Sequence, residues 1–211
     1  MATPIAVYGA GGFGREVLML IQHINHAYPD TWEPIGVFDD NVPAGRLVKK
    51  IPVLGGLSAL NQYPTPLSVA IGVGWPMVKK KLVTAITNPM VSFPVLIHPT
   101  VLLRPEQDVT LGEGCIICQD TILTVDVSLG SHVLLNLKCT VGHDSRIGDF
   151  SSLMPAVHIA GDVMMGDGVF AGTGAIVKNQ LTVGNYAVLG AGAVVTKPVF
   201  PHTTVKGVPA R

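Results

Sequence analysis

The chain has 211 residues, 48% of them apolar and 13% charged, enough to bury a core in one large or two small domains. Fourteen Lys and Arg balance fourteen Asp and Glu, so no global field draws the protein to nucleic acid or to an anionic membrane, and small molecules or copies of itself are the expected partners. The opening Met1-Ala2-Thr3-Pro4-Ile5 lacks the basic start and apolar region of a signal peptide, and no stretch reaches the ~18 apolar residues of a membrane span, so a cytoplasmic protein is expected.

Residues 5–8 read as a short buried strand. Gly9-Ala10-Gly11-Gly12-Phe13-Gly14 follows, and then a helix with Val17, Leu20, Ile21 and Ile24 on one face. Gly9, Gly11 and Gly14 satisfy G-x-G-x-x-G, a turn whose amides, with the helix N-terminus, can hold a diphosphate. Tight glycine turns also occur in doubly wound folds that bind nothing. A second strand over residues 35–38 ends in Asp39-Asp40, where a carboxylate can accept hydrogen bonds from a ribose or base. Residues 67–71 form a third strand, and Pro76 suits the first turn of the next helix, on which Lys79, Lys80 and Lys81 are expected to form a solvated face. The prediction for residues 1–95 is an α/β, Rossmann-like half domain. About ninety residues are too few for both halves of a dinucleotide fold, so a mononucleotide handle is expected rather than NAD.

From Leu111 a step of six meets Ile117, Leu123, Leu129, Leu135, Val141, Ile147, Leu153, Ile159, Met165, Ala171, Val177, Val183, Leu189 and Val195, all apolar. A helix repeats its apolar residues at three and four and a strand at two, so a strict six fits neither and predicts a parallel β-helix of hexapeptides over residues 96–211. Gly112, Gly130, Gly148, Gly166 and Gly184 lie eighteen apart, so three hexads make one coil. A glycine there suits a corner of positive φ or a close backbone approach. The fifth hexad positions (Val109, Cys115, Val127, Cys139, Ser145, Ala175, Ala187) are small or β-branched, as a narrow interior requires. Cys115 and Cys118 form a C-x-x-C with no second pair at zinc-site spacing, so the cysteines read as reduced packing residues.

Acyl transfer from a thioester needs a base for the attacking amine or hydroxyl and a donor for the tetrahedral oxyanion. His143 is the candidate base: it stands at the third position of a hexad, outside the interior pattern, beside Asp144. An aspartate can orient an imidazole and stabilise its cation, although adjacent strand side chains diverge, so the pairing requires corner geometry. His132, His143 and His158 are the alternative constellation, a zinc site. Counting hexads assigns them to three faces of the coil, and no metal is expected.

The chain resembles the bacterial sugar acyltransferases that include the UDP-bacillosamine-pathway N-acetyltransferase and the sialic acid O-acetyltransferase. The resemblance runs over residues 9–14, Phe38-Asp39-Asp40, Ala70-Ile71-Gly72, His98-Pro99, Gly142-His143-Asp144 with Ile147-Gly148, Ala160-Gly161 and Lys206-Gly207-Val208-Pro209-Ala210. It implies an all-β left-handed helix, a homotrimer with active sites in the clefts between subunits, and acetyl-CoA as co-substrate. It makes His143 the general base, Asp144 its support and Gly161 an oxyanion amide, and it places Asn136 near the sugar. It places Gly9, Gly11, Gly12, Phe13, Gly14, Asp39 and Asp40 with the nucleotide. The run 170–175, with Gly172 and Gly174, and the run Gly190-Ala191-Gly192-Ala193, together with Lys206, resemble the segments that hold the pantetheine arm. Repeat packing is the competing reason for these glycines. Family members often carry histidine where this chain has Phe13, so a contact made there is lost or replaced. The function expected is N-acetylation of a nucleotide-linked 4-amino-4,6-dideoxy sugar for a surface polysaccharide such as O-antigen, or another glycan. O-acetylation of a sugar such as sialic acid is the alternative, and a non-catalytic nucleotide-binding module is the reading from another class.

Overall fold

The computed structural model describes residues 2–211. Contacts divide the chain into one unit holding residues up to Gly74 with Val78–Leu96, and a second holding Trp75–Met77 with Ile97–Arg211.

The first unit runs β1 (Thr3–Tyr8), α1 (Gly12–Ala27), β2 (Trp32–Phe38), β3 (Leu47–Val48), β4 (Ile51–Gly55), α2 (Leu57–Asn61), β5 (Leu67–Ile71), α3 (Pro76–Ala85) and β6 (Val91–Ser92). Its sheet has the order β3-β4-β2-β1-β5-β6, parallel throughout except for the β3–β4 hairpin. β1 lies inside the sheet, and its Ile5, Ala6, Val7 and Tyr8 are buried, so the strand reads as an unbroken apolar run. α1 buries Val17, Leu18, Leu20, Ile21 and Ile24. The chain leaves β1 for β2 on one side and returns to β5 on the other, so the loop at the carboxyl end of β1 stands at a topological switch point, where open α/β sheets bind ligands. Lys79 is buried at 3% exposure while Lys81 is exposed, so only part of the basic run on α3 forms the solvated face its charges suggest.

The second unit is a three-sided coil of two-residue strands in three parallel sheets of five, five and seven strands. Through the repeat each strand pairs with the one eighteen residues on, as in Leu129 with Ile147, Leu135 with Leu153 and Val141 with Ile159, so the apolar repeat residues stack on their equivalents inside the coil; the final pair, Leu189 with Val205, is sixteen apart. Five of the small interior positions carry polar atoms, and those atoms find backbone partners. Ser145 Oγ donates to Ala160 O and accepts from Val163 N, and Ser151 Oγ does the same with Gly166 O and Val169 N. Burial pushes the Cys139 thiol up to about 11, as expected of a packing cysteine.

The corners decide between the two roles expected of the glycine column. The positive φ does not fall at Gly112 and its equivalents but two residues later, on Asp120, Asp126, His132, Lys138, Asp144, Phe150, Ala156 and Asp162, with φ between 54° and 60°. Leaving the left-handed region to non-glycine residues costs about 1 kcal/mol each, and bonds such as His132 N to Glu113 O and Phe150 N to Ser131 O offset it. The glycine column serves close approach instead. A Cβ on Gly112 would stand 2.6 Å from Ser131 N, and one on Gly148 would stand 2.6 Å from Asp167 N.

Candidate active site

Val141 ends its strand, and His143 and Asp144 form the corner that follows. Because Asp144 takes φ 58°, its side chain turns back alongside its neighbour, and Asp144 Oδ2 lies 2.7 Å from His143 Nδ1. The left-handed corner thus supplies the geometry that an extended strand denies. Both side chains are exposed, at 63% and 60%. With Nδ1 donating to the carboxylate, Nε2 is left as the acceptor, the state a general base requires.

The His143 ring lies over Gly161 of the next coil: a Cβ on Gly161 would meet Nε2 and would stand 2.8 Å from Cδ2. At the equivalent position of another corner, the amides of Ser131, Asp149 and Asp167 donate to the side chains of Asp149, Asp167 and Asn185, each one coil further on. Among the described residues the Gly161 amide donates no such bond, although its carbonyl accepts from Gln180 N at 3.1 Å. A base nitrogen and an uncommitted N–H are therefore side by side, the pairing that addition to a thioester carbonyl requires. The surrounding pocket, about 440 Å³, is lined by His143, Asp144, Gly161, Asp162, Asn179 and Gln180. Asn179 and Gln180 carried no sequence signal, because they stand two coils from His143 at polar corner positions that the repeat leaves unconstrained.

Other expected residues are not gathered here. Asn136 follows the strand Leu134–Leu135 in a different sheet, is 6% exposed, and uses Oδ1 to accept from Leu137 N. Gly172, Gly174, Gly190, Ala191 and Lys206 also lie outside this pocket. The two explanations for the glycines now separate. A Cβ on Gly172 would stand 2.7 Å from Ala191 N, so packing alone restricts it, while one on Gly190 would stand 3.0 Å from Lys206 Cβ, a tight contact that a small shift relieves. Gly174 and Gly192 have positive φ, but a Cβ there meets nothing within 4 Å, and Asp120, Lys138 and Ala156 adopt the same conformation at earlier turns of that corner. Repeat packing does not demand glycine at 174 or 192.

Hexad counting also misplaced His158. Strands begin one residue before the apolar repeat position, so His158 pairs with Thr140 in the sheet whose strand precedes His143. Its Nδ1 lies 3.0 Å from Thr140 Oγ1, while His132 is buried and stacks on Phe150 with ring centroids 5.1 Å apart. Among the described residues no group of three His, Cys, Asp or Glu side chains is placed to hold a metal ion.

In the first unit a Cβ on Gly11 or Gly12 meets nothing within 4 Å, and Gly11 caps α1 without a side-chain bond. Gly14 packs against the Gly9 carbonyl and Phe13 is half-buried. Asp39 Oδ2 accepts from Ala10 N at 2.7 Å and Oδ1 from Asn41 N at 2.8 Å, so this carboxylate fixes the glycine loop. Asp40 accepts from Tyr8 Oη at 2.5 Å and from Leu57 N at 2.8 Å, anchoring the start of α2. Those bonds hold the Asp40 carboxyl below its ordinary range, and burial, followed by the bond to Asp40, pushes the Tyr8 phenol up.

Residues 4–86 match the family described as the PglD N-terminal domain. GDP-perosamine N-acetyltransferase of Escherichia coli O157:H7 is 31% identical over 198 residues, 88% of this chain and 82% of that one. The acetyltransferase domain of PglB from Neisseria gonorrhoeae, in complex with acetyl coenzyme A, superposes with a TM-score of 0.88 at 28% identity, covering 100% of this chain and 99% of that one. A histidine-to-asparagine mutant of perosamine N-acetyltransferase from Caulobacter crescentus, in complex with CoA and GDP-perosamine, superposes at 0.86 with 27% identity, covering 99% of this chain and 95% of that one. The chain belongs to the sugar acyltransferase family built on a left-handed parallel β-helix.

Proposed function

We propose that the protein transfers the acetyl group of acetyl-CoA to the amine of a nucleotide-linked 4-amino-4,6-dideoxy sugar. The observation that carries this reading is the His143–Asp144 pair lying over the uncommitted Gly161 amide, in a chain 31% identical to a GDP-perosamine N-acetyltransferase. His143 Nε2 takes a proton as the neutral sugar amine attacks the thioester carbonyl, and a C–N bond forms. The oxyanion accepts from Gly161 N–H, and Asp144 stabilises the imidazolium. Collapse breaks the C–S bond, and the thiolate leaves with the proton that His143 carried. In this reading the glycine loop of the first unit holds the nucleotide, with Asp39 and Asp40 as candidate contacts. The pantetheine arm follows Gly172, Gly174, Gly190 and Ala191 with Lys206, and the enzyme is a cytoplasmic homotrimer that brings Asn136 to the sugar.

The test is release of free CoA thiol from acetyl-CoA with UDP-, GDP- and dTDP-linked amino sugars, against free sialic acid and serine. Turnover of at least one nucleotide-linked amino sugar, well above the free acceptors, is expected. Turnover confined to sialic acid hydroxyls would replace the reading with O-acetylation, and no thiol release from any acceptor would leave a binding module.

A further inference from the structure

Beside the glycine loop, and wholly within the first unit, is a second pocket of about 280 Å³ lined by Ala10, Arg15, Val42, Arg46, Leu47, Val48 and Lys49. Three of these residues are cations and none is acidic. Arg15, Arg46 and Lys49 are exposed, and among the described residues none of them pairs with a carboxylate. Asp39 has both oxygens committed to the amides of Ala10 and Asn41, Asp40 accepts from Tyr8 and Leu57, and Glu16, next to Arg15 in the chain, does not line the pocket. The pocket is therefore a concentration of positive charge in a protein whose formal net charge is zero.

The cations come from two rigid elements. Arg15 stands in the first turn of α1, which has no acidic residue there to neutralise its N-terminus. Arg46 belongs to an extended hairpin in which Gly45 N donates to Val53 O and Val53 N donates to Arg46 O, both at 2.8 Å. Lys49 and Lys50 form the two-residue turn between β3 and β4, and both take positive φ, 48° and 68°. That turn favours Asn-Gly, and lysine gains nothing from the conformation itself. A costly residue choice that adds charge at the mouth of a basic pocket points to an anion.

We propose that Arg15, Arg46 and Lys49 form a subsite for the phosphates of a nucleoside diphosphate, with the β3–β4 hairpin closing over the side opposite the glycine loop. Ala10 lines the pocket, so phosphates bound there lie against the loop whose Gly11 and Gly12 are open. Guanidinium groups suit phosphate through paired N–H donors, and the lysine adds a point charge. This subsite rests on the reading that the acceptor is nucleotide-linked, and it extends that reading to residues which no glycine motif would identify.

Calorimetry on the full chain tests it, with GDP, UDP, dTDP, the matching nucleosides and inorganic pyrophosphate as titrants. At least one diphosphate should bind far more tightly than its nucleoside. Combining Arg15→Gln, Arg46→Gln and Lys49→Asn should weaken that diphosphate at least tenfold and flatten its salt dependence, while acetyl-CoA affinity and the far-UV spectrum stay unchanged. Arg46→Gln alone, a single exposed change, should give a measurable part of the loss, and Lys138→Gln on an exposed corner of the β-helix should give none. Asparagine tolerates positive φ better than lysine, so Lys49→Asn should raise the melting temperature as it lowers affinity. Diphosphate affinity within twofold of wild type in the triple variant overturns the subsite and leaves the acetyltransferase reading intact. Failure of every diphosphate to bind wild-type protein that still acetylates free acceptors overturns the nucleotide-linked substrate as well.

Discussion

At the residue scale, the proposed chemistry rests on one ring, bonded to Asp144 and lying over Gly161. His143→Ala should lower kcat by about 10²-fold or more with little change in KM, since removing a general base removes a transition-state interaction. Asp144→Asn should lose a smaller share, because the amide can still orient Nδ1 but does not stabilise the imidazolium. Gly161→Ala separates geometry from folding. Its Cβ would stand within 2.8 Å of His143 Cδ2, so the ring must swing off the Gly161 amide, and kcat should fall while the fold persists. Steady-state kinetics beside a thermal melt check all three, and near-normal turnover in His143→Ala would remove the histidine from the mechanism. His143 itself was legible in the sequence, because a histidine at a non-interior hexad position stands out against the apolar repeat. Its pairing with Asp144 was expected from adjacency and from the family resemblance, but the corner geometry that permits it was not legible, because it depends on a left-handed φ that aspartate tolerates and no pattern of hydrophobicity encodes.

The same distinction holds for whole elements. The six-residue period revealed the coil because narrow interior space forces one apolar residue per hexad, and the glycine column was visible because neighbouring coils approach so closely. Which of its two expected roles glycine filled was not visible: the tight contacts fall at Gly112 and Gly148, while the left-handed corners go to residues such as Lys138 and Phe150. Hairpin β3–β4 and its basic pocket were also hidden, since Lys49-Lys50 carries none of the usual turn chemistry. One side-chain ladder along the coil is open to measurement. Asp167 accepts from Asp149 N and donates its own N–H to Asn185, so it connects three successive coils. Asp167→Ala should cost about 1 kcal/mol of unfolding free energy by orphaning the Asp149 amide. Asp167→Asn keeps an acceptor oxygen and should cost less, which denaturant unfolding of the two variants would show.

At the scale of the whole molecule, the residues that the family resemblance assigns to one site are distributed around a prism. His143 follows a strand of one sheet, whereas Asn136 and Gly174 follow strands of another and share its corner, so a single coil does not gather all three at one corner. The sheet that ends before His143 also presents Ile122 at 56% and Ile176 at 41% exposure on its outer side, apolar surface suited to a covering subunit. In the proposed homotrimer, cyclic threefold packing would set the His143 corner of each copy against another face of its neighbour and complete every site at once. The test mixes a His143→Ala chain with a Gly174→Trp chain. A tryptophan is compatible with this backbone, because Phe150 and Tyr186 already hold aromatic side chains at φ 60° and 58° on equivalent corners. In a mixed trimer an interface that takes His143 from one chain and Gly174 from the other carries neither lesion. Refolded mixtures should therefore regain part of the thiol-release activity that each variant lacks alone. Mixed trimers verified by native mass spectrometry but still inactive would place His143 and the pantetheine segment of each site in the same chain.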